Sequence, residues 1–259
     1  MRSRKVLYKY VSVDRAVQIL KNKSIRFSQP DQLNDAFELL PTLNIEELKS
    51  VYLAESRGAK SLRGLDDFTL GFTQAFLSGY ESVGVLCLSE KFDVPLMWAH
   101  YAENYRGVVI GFDIEEGALA KADFIESEEF CKLAKISYSE SRFMYPNSVM
   151  GPLDYMFHKD ICWKYESEWR IVRSLNTLSN IGNDIYVGNF NTQTIRCVIF
   201  GPLFSKTNYS KILDVLRSDD YSHVGKYTSH LEDLRYEIDI DYFISVPTPY
   251  KLDSFLKVV

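Results

Sequence analysis

The stretch KVLYKYVS (residues 5–12) is short and β-rich, and it ends in Ser12, a candidate N-cap. Val13, Ala16, Val17 and Leu20 then recur at the i, i+3, i+4, i+7 spacing of an amphipathic helix. SIRFSQP (24–30) predicts a short strand closed by Pro30, and DQLNDAFE (31–38) a polar turn or helix start. Residues 44–80 read as mostly helical, with interruptions near Gly58 and Gly64. GVLCLS (84–89) and GVVIGFD (107–113) are continuously apolar, the pattern of strands buried on both faces.

Between those two runs, DVPLMWAHYAE (93–103) predicts a helix with Asp93 as N-cap and Pro95 in the first turn. KISYS (135–139) alternates like a half-exposed strand, and a helix is expected from roughly 152 to 164. EWRIVRS (168–174) alternates with period two, as a strand does. DIYVG (184–188) and IRCVIFGP (195–202) add two more strands. Ser205 is placed to cap a helix through Leu216, and YEIDIDYF (236–243) alternates again. No internal repeat, low-complexity tract or Pro/Gly/Ser linker divides the chain. The expectation is a single α+β domain over 1–259, with a mixed or antiparallel core sheet and a helical insertion at about 44–80. No strand is followed by GxGxxG or GxxxxGK[ST], which argues against a Rossmann or P-loop enzyme.

Composition changes this picture little. With 259 residues, 46% apolar and 25% charged, the chain can bury a sizeable core and is ordinary for a soluble protein. The 17 Tyr and 16 Phe are a high aromatic load, and such rings fill cores more often than they line sites. A net charge of −5 argues against non-specific nucleic-acid binding while leaving room for a local basic groove. Cys87, Cys131, Cys162 and Cys197 show no metal-type spacing. Cys87, Cys162 and Cys197 sit in apolar surroundings and read as small buried hydrophobes. Neither a signal-peptide core nor a membrane-length apolar run is present, so a reduced, cytoplasmic protein without a membrane partner is expected.

Four polar clusters are candidates for chemistry. In LYKY, Tyr8 and Tyr10 share one strand face and Lys9 the other, unless this is simply an edge strand with an exposed lysine. Ser28, Asn34, Asp35 and Glu38 crowd the turn after the second strand, where Asn-Asp can equally cap a helix. Trp98, His100 and Tyr101, followed by Tyr105 and Arg106, combine stacking faces with hydrogen-bond donors, although mid-helix residues of this kind are often only packed. The fourth cluster is YESEWRIV (165–172). If it is extended, Glu166, Glu168 and Arg170 share a face, with the two glutamate Cα atoms roughly 6.5–7 Å apart. Such a pair can act on adjacent groups of one substrate, or form an ion-pair network with Arg170, Lys164 or Arg173. No HExxH, GxSxG or Cys–His pairing is present.

These motifs, in this order, resemble a widespread bacterial family catalogued as domain of unknown function 2971, over roughly residues 7–202. More distantly, the chain resembles the ADP-ribosyltransferase superfamily, especially its DNA-targeting toxin branch. LYKY stands where that superfamily carries a His or Arg, here Lys9. IRFS with Ser28 matches the aromatic-Ser element, and Glu166-Ser167-Glu168 the Glu-x-Glu pair. The resemblance implies NAD bound between two small sheets. Glu168 would stabilise an oxocarbenium-like transition state and Glu166 would orient a protein or nucleic-acid acceptor. Tyr8, Lys9, Tyr10, Ser28, Asn34, Trp98, His100 and Tyr101 would line the nucleotide site. A toxin or antiphage effector is the implied setting. Two alternatives stay open: a non-catalytic nucleotide or nucleic-acid binding module, and a nuclease using Asp35, Glu38, Glu166 and Glu168 around a divalent ion with Lys9 in support.

Overall fold

Strand β1 (Val6–Val11) ends at Ser12, whose side chain caps helix α1 (Val13–Asn22) by accepting from the Arg15 amide. Val13, Ala16 and Leu20 are buried as the apolar spacing predicts, joined by Ile19, while Val17 is only partly buried at the edge of that face. Residues 5–55, 65–114, 130–146 and 153–243 are described in this computed structural model. Lys23 turns the chain left-handed into β2 (Ser24–Phe27), followed by a 3-10 turn at Pro30–Gln32 and β3 (Thr42–Leu43). Helices α2 (Ile45–Glu55) and α3 (Leu65–Glu81) occupy the expected helical insertion. Its interruption near Gly58 and Gly64 lies outside the described residues.

Next come β4 (Val83–Ser89), α4 (Pro95–Tyr101) and β5 (Val108–Asp113), the last buried along its whole length. Asp93 is not the cap of α4: Val94 holds that position, with no side-chain cap, and Pro95 starts the helix. The return from α4 into β5 passes Gly107, where a Cβ would lie 2.3 Å from the Val11 carbonyl oxygen. The single strand expected at 135–139 is two, β6 (Cys131–Lys135) and β7 (Ser137–Ser139), broken at the buried Ile136. A short β8 (Met144–Tyr145) follows.

The helix expected over roughly 152–164 is absent where the chain is described. Two 3-10 turns, Asp154–Phe157 and Ile161–Glu166, flank the short strand β9 (His158–Asp160). Two local features account for this. Tyr155, Met156 and Phe157 are all buried in succession, which no single helix face allows, and Asp160 caps the second turn by accepting from the Cys162 amide. Strand β10 (Glu168–Ser174) comes next, then β11 (Ser179–Asn180), β12 (Tyr186–Asn189) and β13 (Ile195–Phe200). Ser205 caps α5 (Lys206–Leu216) as expected, and β14 (Gly225–Leu231) and β15 (Ile238–Tyr242) complete the order.

Eight strands form one mixed sheet in the order β15-β14-β13-β5-β1-β4-β10-β6, in which only β13 and β14 run parallel. A three-stranded sheet, β11-β12-β2, stands beside it, with two parallel pairs, β3-β8 and β7-β9. The protein is thus an α+β domain built on a mixed sheet. Helices α1 and α5 cover one face through Ala16, Ile19, Leu20, Ile212 and Leu216, packed on Leu7, Ile110, Phe112 and Phe200. Helix α4 covers part of the other with Met97, Trp98 and Ala102 against Tyr10, Val109 and Ile199. No helix among the described residues is long and apolar enough to cross a membrane.

Candidate functional site

The site lies where the two larger sheets meet. Strand β4 pairs with β10 along its full length on one edge, from Val83 to Ser89. Its other edge is shared. Tyr8 of β1 pairs with Ser89, whereas Ser28, just past β2, bridges to Val85 through two 2.8 Å backbone hydrogen bonds. Strands β1 and β2 therefore splay apart along β4. In the wedge, the Lys9 ammonium donates to the Cys87 carbonyl at 2.9 Å, so a side chain supplies a donor between the two backbone pairings. The wedge opens into a cavity of about 270 Å³. Tyr8, Lys9, Tyr10, Ser28 and Asn34 line it, together with Tyr101, Glu166 and Glu168.

At its base is a buried charge network. The Lys159 ammonium lies 2.7 Å from Glu166, 3.0 Å from Glu38 and 3.3 Å from Glu168. Arg170, fully buried, donates from Nε to Glu168 at 2.9 Å, from one Nη to Glu38 at 2.5 Å, and from the other to the Met156 carbonyl at 2.7 Å. Three carboxylates thus face two cations out of water, where an unpaired charge would be costly to bury. Tyr101 donates to Glu166 at 2.6 Å and accepts from the Asn34 amide at 3.0 Å. The Glu168 amide donates to the Tyr138 hydroxyl, and the Ser89 hydroxyl donates to the Glu166 carbonyl.

The two glutamates are pushed in opposite directions. Burial alone would raise the Glu168 pKa, but Arg170 and Lys159 beside it hold it down at about 2, so it is an anion at neutral pH. Burial raises the Glu166 pKa above the ordinary carboxylate value, against the lowering pull of Lys159 and Tyr101. Carboxyls separated in this way can take different roles, one a fixed charge and the other a proton acceptor. Lys159 stays protonated: burial lowers its affinity for the proton, and Glu168, Glu38 and Glu166 more than restore it.

The premise of a strand beginning before Glu168 is corrected. β10 begins at Glu168; Glu166 closes a 3-10 turn, and Ser167 between them is left-handed, with φ 46° and ψ 47°. The two carboxylates still converge, because both turn inward to Lys159. Of the cations expected to pair with them only Arg170 does so; Arg173 turns to Thr177 and Lys164 is exposed. Trp98 and His100 stand outside the cavity lining. The Trp98 side chain is fully buried, donates to the Phe92 carbonyl at 2.7 Å and packs edge-on against Tyr10. His100 leans on Tyr101 and Tyr165. Asp35 accepts from the Phe37 amide, closing a turn, and lines a neighbouring cavity. Cys162 is exposed, contrary to its apolar sequence context, since it lies on the 3-10 turn that replaces the expected helix.

Residues 97–171 match the model of a family described as Protein of unknown function (DUF2971). Over that stretch, the chain is similar to this family. No curated protein and no solved structure gives a match. The matched segment runs from α4 to β10, and so holds Tyr101, Lys159, Glu166, Glu168 and Arg170 together, while β1 and β2 lie before it.

Lys159 and Arg26 are not among the residues the sequence singles out; Glu38, expected either at a turn or in the alternative metal site, instead joins the buried ion-pair network. Lys159 follows His158 in what reads as a helix, where an exposed lysine is unremarkable. The one available signal was the excess of acid in YESE, which demands more than one buried cation once both carboxylates point inward. Arg26 lines the cavity with Ser28, two residues on, while Phe27 between them points into the core, the alternation of an extended chain.

Proposed function

We propose that this cavity binds NAD and that the chain is an ADP-ribosyltransferase-like enzyme. It would cleave the bond between nicotinamide and ribose and pass ADP-ribose to a protein or nucleic-acid acceptor. One observation carries the reading. Three elements far apart in sequence, Tyr8–Tyr10 of β1, Ser28 after β2, and Glu166 with Glu168 at β10, line a single cavity between two sheets. With the family match silent on activity, the reading rests on this site and on the sequence resemblance to ADP-ribosyltransferases.

Each residue then has a chemical task. Glu168 presents a fixed anion, held by Arg170 and Lys159, beside the ribose carbon that gains positive charge as nicotinamide departs. The C–N bond breaks with its electron pair going to the nicotinamide nitrogen, and the acceptor nucleophile forms the new bond at the same carbon. Glu166, with its raised pKa and its Tyr101 contact, takes the proton that the nucleophile gives up. Tyr8 and Tyr10 offer ring surface, and Ser28 a hydroxyl, at the cavity wall. A volume of about 270 Å³ falls just under the ~300–1,000 Å³ usual for drug-sized ligands, which suits the reacting half of a dinucleotide.

A second reading, a nucleotide-binding module without catalysis, is favoured by one feature: both Glu168 oxygens already accept from Arg170 or Lys159. A metal-dependent nuclease is less well supported. Glu38, Glu166 and Glu168 do converge, but Lys159 stands at their centre, where the ion would have to be. The deciding experiment follows nicotinamide release from NAD by the purified protein, with and without candidate acceptors. Glu168→Gln is expected to lower turnover at least ~100-fold, the scale of losing one preorganised charge partner. Turnover that survives this change refutes the site; NAD binding with no turnover under any condition selects the binding module.

A further inference from the structure

Arg26 is held in an unusual state. Its guanidinium donates to Gln32, which is itself hydrogen-bonded to Gln29, so the group is oriented by a short amide chain. Its Nε–H, by contrast, is shut off from solvent and has no hydrogen-bond partner. What is closed to solvent is closed to a ligand oxygen as well, so what Arg26 offers the cavity is the charge of its guanidinium and its Nη donors. No carboxylate among the described residues pairs with Arg26, nor does one pair with Lys9, whose ammonium meets only the Cys87 carbonyl and keeps further donors. The cavity wall thus carries two kinds of charge. Glu38, Glu166 and Glu168 surround Lys159, with Arg170 behind, while Lys9 and Arg26 are cations without counter-ions.

We infer that Arg26, with Lys9, holds the diphosphate of a nucleoside diphosphate. The two Nη groups of one guanidinium present planar N–H donors that can receive two oxygens of a phosphoryl group. The ligand such a wall complements is itself bipolar: a cationic ring end for the Glu168 anion and an anionic diphosphate for Arg26 and Lys9. This assignment rests on the nucleotide reading of the cavity above, though not on the cleavage step.

The test is calorimetric titration of the full chain with NAD, ADP, adenosine and inorganic pyrophosphate. Arg26→Gln is expected to weaken NAD and ADP about 10- to 100-fold, the loss of a charge-assisted hydrogen bond, and to leave adenosine unchanged. Arg26→Lys keeps the charge but not the planar donors, so it should recover only part of the affinity. Because Arg26 makes no ion pair, the melting temperature of Arg26→Gln should equal or exceed that of the native chain; this separates a lost contact from a lost fold. Unchanged ADP affinity in Arg26→Gln overturns the inference, and so does wild-type protein that binds neither ADP nor NAD. Pyrophosphate binding as tightly as ADP overturns the nucleoside part. Two outcomes keep this inference and the enzyme reading apart. ADP binding that depends on Arg26, without nicotinamide release, supports the inference and removes the enzyme. Nicotinamide release with an unchanged KM for NAD in Arg26→Gln does the reverse.

Discussion

Lys159 is the residue on which the site turns. Its ammonium contacts three carboxylates, two of which also bind Arg170, and its side chain is only 3% exposed. Removing one partner from such a cluster strands charge out of water, so Lys159→Met is expected to cost about 3–5 kcal/mol, read from urea denaturation. A loss under about 1 kcal/mol would mean that water reaches the cluster and screens it. The Trp163 ring, 4.7 Å from the ammonium, adds a cation–π contact that methionine cannot replace. Beyond the acid of YESE, the surrounding sequence gives no sign of this. His158 to Asp160 reads as ordinary polar chain, and its burial depends on Glu38, 121 positions earlier, and on Glu166 and Glu168 turning inward.

At the scale of elements, Ser167 does what no strand or helix alone could. A left-handed residue between a 3-10 turn and β10 lets Glu166 and Glu168 meet although they belong to different elements. Such a conformation costs an L-residue roughly 1–2 kcal/mol, and more when Cβ is branched. Ser167→Gly should therefore stay within about 1 kcal/mol of the native chain, while Ser167→Val should lose about 1–2 kcal/mol or more. Equal melting of the two variants would show that the turn stores no strain. The expected same-face geometry of an extended Glu-Ser-Glu reached the correct neighbours by a different route. Period-two alternation is legible from Trp169 onward because those residues pair on both sides with β4 and β6, whereas one left-handed serine leaves no periodic trace.

For the whole molecule, the consequence is a dependence of stability on pH. Glu168 is held at about 2, against an ordinary value of 4.5 in the unfolded chain. A depressed carboxyl contributes stability that is complete above 4.5 and is lost as pH falls towards 2. Glu166, raised by burial, acts with the opposite sign: its contribution is present below 4.5 and is lost as pH rises through its folded value. Chemical denaturation across pH 2 to 4.5 should therefore show stability falling with acid. Glu168→Gln should flatten that slope whatever its effect on the plateau; an unchanged slope would place the acid sensitivity elsewhere. At the same scale, the wedge between β1 and β2 was not readable, because both strands look like ordinary β-segments. Only their sharing of one edge of β4, at Ser89 and Val85, separates them.

Much of the framework is nevertheless written in the chain. The unbroken apolar runs of β4 and β5 mark strands flanked on both sides. Ser12 and Ser205 mark helix starts, and 44–80 marks the helical insertion. These are local signals, set by periodicity and by hydrogen bonds between residues three or four apart. The site depends on distant ones. Glu38 meets Arg170 across 132 positions, Lys9 meets Cys87 across 78, and Asn34 meets Tyr101 across 67. The sequence singled out the acidic pair and the tyrosines around it. Which cations hold that pair, which aromatic residues withdraw into the core, and where Arg26 keeps an unanswered donor are settled only when the sheets pack, because charge pairing and desolvation depend on distance in space and not along the chain.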